Sequence, residues 1–444
     1  MESYAVKLEC IKCHAEYALD QPLYEGCLSC RTEDFSSSLS PYYDYTQLAQ
    51  VISRRYFATR SRSKGVWRYT ELLPVHCESD RITLGEGNTP LVSCDRWAKR
   101  LGLQEIWIKD ESRNPTWSFK DRHSAVAVSM AVQQGANTVA IGTSGNHGAS
   151  VAAYAAKAGL RAVIFTFPGC YDTMSTLMRM YGALVFVTDV EGRRQLMREG
   201  IKRYGWYPIS NLNTVPTPNP YGHEGYKTIA YEICEDLNWS VPDAIFVPSG
   251  FSEGLYGVWK GFKEFRNLGL IDRTPRMIAV EPLPGGPLAE AIKRGQDIVR
   301  LEEYESHRTV ARGIASRTNS YLGVLAVRES EGSVITVTND EILLAQNTLA
   351  EEGIYGECTA VAAAAGLVKL SKTGDLSNAK VVVINSSCGL KDYALAAARM
   401  PPLPQVQPDS DTLERVARQV YHQELGPTDK FSNRPPTKVA GPSG

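Results

Sequence analysis

In NPTWSFKDRH, residues 114–123, an amine stands where a carboxylate would be expected. Asn114-Pro115-Thr116 is turn chemistry, because the residue before a proline avoids the helical region. Ser118 and Asp121 form an S-x-x-D capping pattern, which predicts a helix with Lys120 as its second residue. There the ammonium faces the positive end of the helix macrodipole. Desolvation and the dipole both favour the neutral amine, the form that attacks an aldehyde to make a Schiff base. The plain alternative is a lysine snorkelling to the surface, its charge set by Asp121 or Arg122.

Three further strings narrow the choice. GTSGNHG, residues 142–148, follows an apolar run and opens a helix, so Thr143, Ser144, Gly145, Asn146 and His147 offer hydroxyls and backbone amides to a carboxylate. PSGFSEG, residues 248–254, repeats that setting with Gly250, Phe251, Ser252, Glu253 and Gly254. Its spacing is not G-x-G-x-x-G, which excludes a dinucleotide fingerprint, but a strand-to-helix turn of this kind can cradle one phosphate. Glu253 is awkward there, since a carboxylate repels a phosphate dianion unless it turns away. At Asn385-Ser386-Ser387-Cys388-Gly389 the hydroxyl of Ser386 lies at a strand end. An amine, a carboxylate turn, a phosphate turn and a neutral hydroxyl are together what pyridoxal phosphate requires of a protein.

A fourth cluster has a different use. Cys10-x2-Cys13 and Cys27-x2-Cys30 are two knuckles joined by a short hairpin, a set that suits tetrahedral zinc. Four protein ligands leave no open position, so such a site stabilises and does not catalyse. The rival is a disulfide framework, disfavoured in a long chain whose start, MESYAVKLEC, lacks a signal-peptide pattern. The other six cysteines are scattered, as buried small hydrophobes are.

These strings need a scaffold. TVAIG (138–142), RAVIFTF and ALVFVTD read as strands alternating with the helices ASVAAYAAKAG, capped by Gly159, and DTMSTLMRMYG. A second set runs through PDAIFVPSG, GLYGVWKGFKEF, RMIAVEP, SVITVTND, helices near 341–372, and KVVVINSS. The alternation predicts an α/β protein with two open parallel-sheet layers and ligands at the carboxyl ends of their strands. The tyrosine-rich stretch PYYDYTQLAQVISRRYFATRSRSKGVWRY has mixed periodicity and predicts no single element. After PPLPQVQPDSD one short helix, TLERVARQVYHQEL, is expected, then a Pro- and Gly-rich end, GPTDKFSNRPPTKVAGPSG, expected to be disordered.

The 444 residues carry 48 Lys and Arg against 49 Asp and Glu, which disfavours a nucleic-acid partner held by phosphate neutralisation. No run approaches the roughly 18 apolar residues of a membrane span. The expectation is a cytoplasmic enzyme with a small-molecule substrate.

At this point the chain resembles a known family. GVWRYTELLP, TLGEGNTPLV, NPTWSFKDR, GTSGNHGASVAAYAAKAG, NPYGHEGYKT, EEGIYGECTAVAAAAGLVKL and SSCGLKD are similar to threonine synthases and, more broadly, to the fold type II, tryptophan synthase β-like pyridoxal-phosphate enzymes. The resemblance implies that Lys120 carries the cofactor and Asn146 bonds its phenolic oxygen. It further implies that Thr143, Ser144, Gly145 and His147 bind the substrate carboxylate, residues 250–254 the cofactor phosphate, and Ser386 the pyridine nitrogen. It implies a homodimer, and elimination and replacement on an activated amino acid, O-phosphohomoserine giving threonine and phosphate. A dehydratase, ammonia-lyase or cysteate-synthase-like reaction is the alternative within enzymes; a catalytically silent cofactor-binding homologue is the alternative outside them. The expected domains are a zinc ribbon (1–38), a large domain (39–120 and 205–400), a small domain (121–204) and a tail (401–444).

The chain departs from the family at Trp117, where NPTGSFKDR has glycine. Its indole is expected to pack outward or else to reshape the substrate pocket. Cys358 replaces a proline and is expected to be a core thiol. His147 is placed to contact the leaving group, and His223 is expected on a loop surface.

Overall fold

Among the described residues three β-sheets, each assembled from strands that read plainly or poorly in the sequence for physical reasons, organise the protein. The structure, a computed structural model, describes residues 2–21, 23–170 and 172–425. The Pro- and Gly-rich end expected to be disordered lies outside the described residues. The first sheet is a ribbon of β1 (Ala5–Cys10), β2 (Glu16–Tyr17) and β3 (Leu39–Tyr43), antiparallel in the order β2-β1-β3.

The second and third sheets use the strands β4 (Leu91–Ser93), β5 (Glu105–Asp110), β6 (Thr138–Gly142), β7 (Arg161–Thr166), β8 (Leu184–Val187), β9 (Tyr207–Pro208), β10 (Ala244–Pro248), β11 (Arg276–Pro282), β12 (Ser333–Val337) and β13 (Lys380–Asn385). Six of them form a sheet in the order β12-β11-β10-β13-β5-β4, parallel except for the β4–β5 pair. The other four form a parallel sheet in the order β8-β7-β6-β9. Central strands β10, β11 and β13 are near-continuous apolar runs because helices bury both their faces. Two parallel-rich α/β sheets beside a four-cysteine ribbon are the predicted fold class.

By contact density the chain divides between Lys391 and Asp392. The second unit contains the helices Tyr393–Ala397 and Ser410–Tyr421, the latter capped by Asp409, whose carboxylate accepts from the Thr412 amide at 2.7 Å. No described helix is long and apolar enough to cross a membrane.

Within the first unit, the helices Glu224–Asp236 and Glu253–Asn267 pack closely enough to require glycine. A Cβ on Gly257 would lie 2.5 Å from the His223 carbonyl oxygen. His223 itself is buried, not on a loop surface, because its Nε2 meets Ser40 Oγ at 3.0 Å, a partner that only the folded ribbon supplies. The tyrosine-rich stretch resolves into the helices Tyr45–Val51 and Arg54–Ala58 and the 3-10 segment Arg62–Leu72. Its phenols serve buried carboxylates: Tyr43 donates to Glu224 at 2.6 Å, Tyr45 to Glu264 at 2.9 Å and Tyr69 to Glu235 at 2.6 Å.

Candidate active site and cysteine cluster

Four segments leave the carboxyl ends of parallel strands. β5 runs into the loop that carries Lys120, β6 into the Thr143 turn, β10 into residues 249–252, and β13 into Ser386. The lysine loop is stitched to the end of β13: Phe119 N–H donates to Ser386 O at 2.9 Å, Cys388 N–H to Trp117 O at 3.1 Å, and Ser118 bridges Ser387. Lys120 is the first residue of the helix Lys120–Gln133, one position earlier than its spacing predicts.

The predicted capping pair forms only in part. Ser118 Oγ accepts from Lys120 N–H at 3.1 Å, but Asp121 does not reach back to Ser118. Its carboxylate is fully buried and takes the Thr116 N–H at 2.6 Å and the Ser150 hydroxyl at 2.6 Å, so it joins this helix to the helix Asn146–Ala158. Burial raises the Asp121 pKa despite these donors. Trp117 has φ +59°, a left-handed conformation that favours glycine, and its indole is 48% exposed. The ring packs outward.

The ammonium at a helix start is answered by another helix start. Lys120 Nζ, 20% exposed, lies 3.5 Å from Glu253 Oε2. Glu253 is the first residue of its helix, and its side chain is drawn to Lys120 and to His123 Nε2, 3.6 Å from Oε1. Burial opposes the charge, but Lys120 and then His123 and His147 outweigh it and hold the Glu253 carboxyl far below its usual range. No side chain caps the N-terminus of the Glu253 helix, so its first amides remain available as donors. Ser252 is left-handed at φ +62° with Oγ 3.0 Å from Ser249 Oγ, and the Phe251 carbonyl accepts from Ser320 Oγ at 2.6 Å. A Cβ on Gly254 would meet the Phe119 ring at 2.8 Å, so glycine is needed where this turn packs on the lysine loop; Gly250 lies similarly close to Ile314.

The third turn is equally ordered. Thr143 Oγ1 accepts from Gly145 N–H at 3.2 Å and from Gly148 N–H at 3.1 Å, so Thr143 takes one of the first amides of the Asn146 helix, whose N-cap Gly145 has no side chain to cap the others. Ser144, half-buried, sits between Thr143 and Gly145. Asn146 Nδ2 donates to Glu357 at 2.9 Å and 3.0 Å, and its Oδ1 accepts from Lys391 Nζ at 2.6 Å. His147 Nε2 is 3.1 Å from His123 Nδ1. Burial first, then His123 and Lys120, hold His147 well below the usual histidine range. The Ser386 side chain is buried and makes no hydrogen bond among the described residues. Cys358 is a buried residue opening the helix Cys358–Ser371.

Sequence reasoning missed three participants. His123 was findable, since it lies three residues from Lys120 on one helical face. Lys391 and Glu357 were not, because nothing in the sequence shows that the two meet at Asn146. Burial lowers the Lys391 pKa, with Glu357 and Asp121 opposing.

In the ribbon, the four sulfurs of Cys10, Cys13, Cys27 and Cys30 all lie within 4.8 Å of one another, with Cys10–Cys30 at 3.7 Å and Cys13–Cys27 at 3.5 Å. Sulfurs at about 2.3 Å from a tetrahedral zinc stand about 3.8 Å apart, so the set fits that ion. The amides of Lys12 and Cys13 point at Cys10 Sγ, at 3.4 and 3.5 Å. Tyr17 and backbone donors bring the Cys27 pKa down to about 6 although burial opposes them.

With the Lys120 amine, two helix starts and the Ser386 hydroxyl at the carboxyl ends of parallel strands, these residues fit pyridoxal phosphate. The chain belongs to the pyridoxal-phosphate dependent enzyme family, which matches residues 82–387. Within that family its similarity is to threonine synthases. It is 35% identical over 421 residues to the threonine synthase of Methanocaldococcus jannaschii, covering 93% of this chain and 99% of that one. It is also 35% identical over 390 residues to that of Methanosarcina acetivorans, covering 87% and 92%. Among solved structures, diaminopropionate ammonia lyase from Escherichia coli shares the fold with a TM-score of 0.61 at 22% identity, over 70% of this chain and 87% of that one.

Proposed function

We propose that this enzyme converts O-phosphohomoserine and water to threonine and phosphate, with pyridoxal phosphate carried on Lys120. The observation that carries the reading is the gathering of Lys120, the Ser386 strand end and two helix N-termini, on a chain similar to threonine synthases along nearly its whole length. When bound, pyridoxal phosphate supplies an electron-withdrawing ring and imine that acidify the carbons next to the amino group.

The chain's residues then divide the remaining work. Backbone amides of Gly250, Phe251, Ser252, Glu253 and Gly254 would hold the cofactor phosphate. Asn146, fixed between Glu357 and Lys391, would hold the ring oxygen, and Ser386 would offer the ring nitrogen a neutral hydroxyl. Thr143, Ser144, Gly145 and His147 hold the substrate carboxylate at a helix start. Lys120 takes the Cα proton, then one from Cβ as phosphate departs from Cγ; protons return to Cγ and Cα, and water adds its hydroxyl at Cβ while its remaining proton goes to the departing phosphate. The large domain (39–120 and 205–400) holds the cofactor, the small domain (121–204) brings the carboxylate turn, and none of these roles falls on the tail (401–444). A cytoplasmic homodimer is the proposed working form.

Product identification tests the reaction. Offered O-phosphohomoserine, phosphoserine, serine and threonine in turn, the enzyme should form threonine and phosphate from the first; a keto acid and ammonia as the main products would contradict the assignment. The ribbon is tested separately, since Cys10, Cys13, Cys27 and Cys30 would hold a structural zinc. Elemental analysis should find about one zinc per chain, lost together with thermal stability in the Cys10→Ser/Cys27→Ser variant.

A further inference from the structure

Between Lys120 and the substrate turn, four titratable groups stand in line. Lys120 Nζ is 3.5 Å from Glu253 Oε2, Glu253 Oε1 is 3.6 Å from His123 Nε2, and His123 Nδ1 is 3.1 Å from His147 Nε2. His123 is fully buried, and its Nε2 has no hydrogen-bond partner among the described residues. Its ring is boxed in: it packs against the Gly222 backbone so closely that a Cβ there would lie 2.2 Å away, and His147 stands edge-on at 4.4 Å between centroids. The other charged or titratable neighbours are His223 and Tyr226, both from the start of the Glu224 helix.

The charge on Glu253 fixes the hydrogens along this line. An imidazole nitrogen facing a carboxylate must carry hydrogen, so His123 is protonated on Nε2 and its Nδ1 is an acceptor. His147 must then donate through Nε2, which leaves its Nδ1 as the open end of the line.

We propose that Glu253, His123 and His147 form a proton relay that charges and discharges Lys120; this rests on the reading of Lys120 as the reactive amine. Inward, a proton from water bonds to His147 Nδ1. The His147 Nε2–H bond breaks as His123 Nδ1–H forms, His123 Nε2–H breaks as a Glu253 O–H forms, and that bond breaks as a neutral Lys120 gains N–H. Both imidazoles are then left in the opposite tautomer. An outward proton, passing from Lys120 through Glu253 and the two rings to water, retraces each exchange and restores them. One proton in and one out therefore closes the cycle with no ring turning over, which the packing around His123 forbids. The reaction takes two protons from carbon, at Cα and Cβ, and returns two, at Cγ and Cα, so no net proton crosses the line in a turnover, as one proton in and one out requires.

Two measurements on the holoenzyme decide it. Nitrogen-15 NMR of histidine-labelled wild type should show His123 and His147 neutral and protonated on Nε2; His123 protonated on Nδ1 alone, or on both nitrogens, would overturn the relay. Solvent deuterium should enter Cα of recovered O-phosphohomoserine about tenfold or more slowly in His123→Gln than in wild type, while borohydride still fixes the cofactor to Lys120 in both. Trapping at Lys120 with unchanged deuterium entry defeats the relay alone. Failure to trap Lys120 in wild type defeats the underlying reading and the relay with it.

Discussion

Lys120→Ala is expected to fold and yet to attach no cofactor. The visible absorbance of the wild-type holoenzyme should vanish, borohydride should leave no adduct at residue 120, and turnover should fall by about 10⁴-fold, the upper end of what a positioned proton-transfer group supplies. The reason lies in where the amine stands. It projects from the first turn of its helix, partly open to solvent, with the Ser386 strand end hydrogen-bonded to the residue before it and the Glu253 carboxylate as counter-charge. Removing it also leaves Glu253 buried with His123 as its remaining close partner, so the alanine variant should be less stable as well as inactive. Lys120→Arg separates the two effects. A guanidinium keeps a positive charge facing Glu253 but does not condense with an aldehyde, so stability should return while attachment and activity do not. Equal binding of pyridoxal phosphate by wild type and Lys120→Ala would contradict the role assigned to this residue.

The sequence made the alternation of strands and helices readable wherever an element buries one chemistry throughout. β6, β10 and β13 are apolar runs bounded by Gly, Pro or Ser, and the Asn146 helix ends at Gly159 in the left-handed conformation predicted for a cap. The Glu224 helix was hidden for the opposite reason. Its buried faces carry Glu224, Lys227 and Glu232, which look like solvent-facing residues until their partners from distant segments are known. β5, EIWIKD, was obscured likewise by Lys109, buried against Glu232 at 2.9 Å. In the site, the lysine and the three turns were local strings and could be found as such. What joins them was not local: Glu253 is a liability in its own turn and becomes intelligible only beside Lys120, and Asn146 owes its fixed orientation to Glu357 and Lys391. Trp117 is a further lesson, since a glycine-favouring conformation tolerates an indole here because the ring can leave toward solvent.

The buried charges of the Glu224 helix also predict the largest stability loss outside the active site. Glu224→Ala is expected to destabilise the protein by about 3–5 kcal/mol, the usual cost of removing one side of a buried ion pair. Glu224 accepts from Lys227 and Lys260, each at 2.6 Å, from the Tyr43 hydroxyl at 2.6 Å and from Ser40 Oγ at 3.2 Å. Burial opposes its charge, but the two ammonium groups outweigh it and hold its carboxyl well below the usual range. A depressed folded pKa means that this contribution is fully present above the unfolded value of about 4.3 and is lost only as pH falls through the depressed one. Without the carboxylate, Lys260 keeps Glu264 only at 3.9 Å, and two ammonium groups share one remaining acid. Because the loss is that of stranded charge and not of packing, removing the stranded groups should restore part of it. Glu224→Ala/Lys260→Met should therefore unfold in urea at a higher concentration than Glu224→Ala alone, whereas a pair that merely added their separate losses would show that packing around Tyr43, not charge, sets the cost.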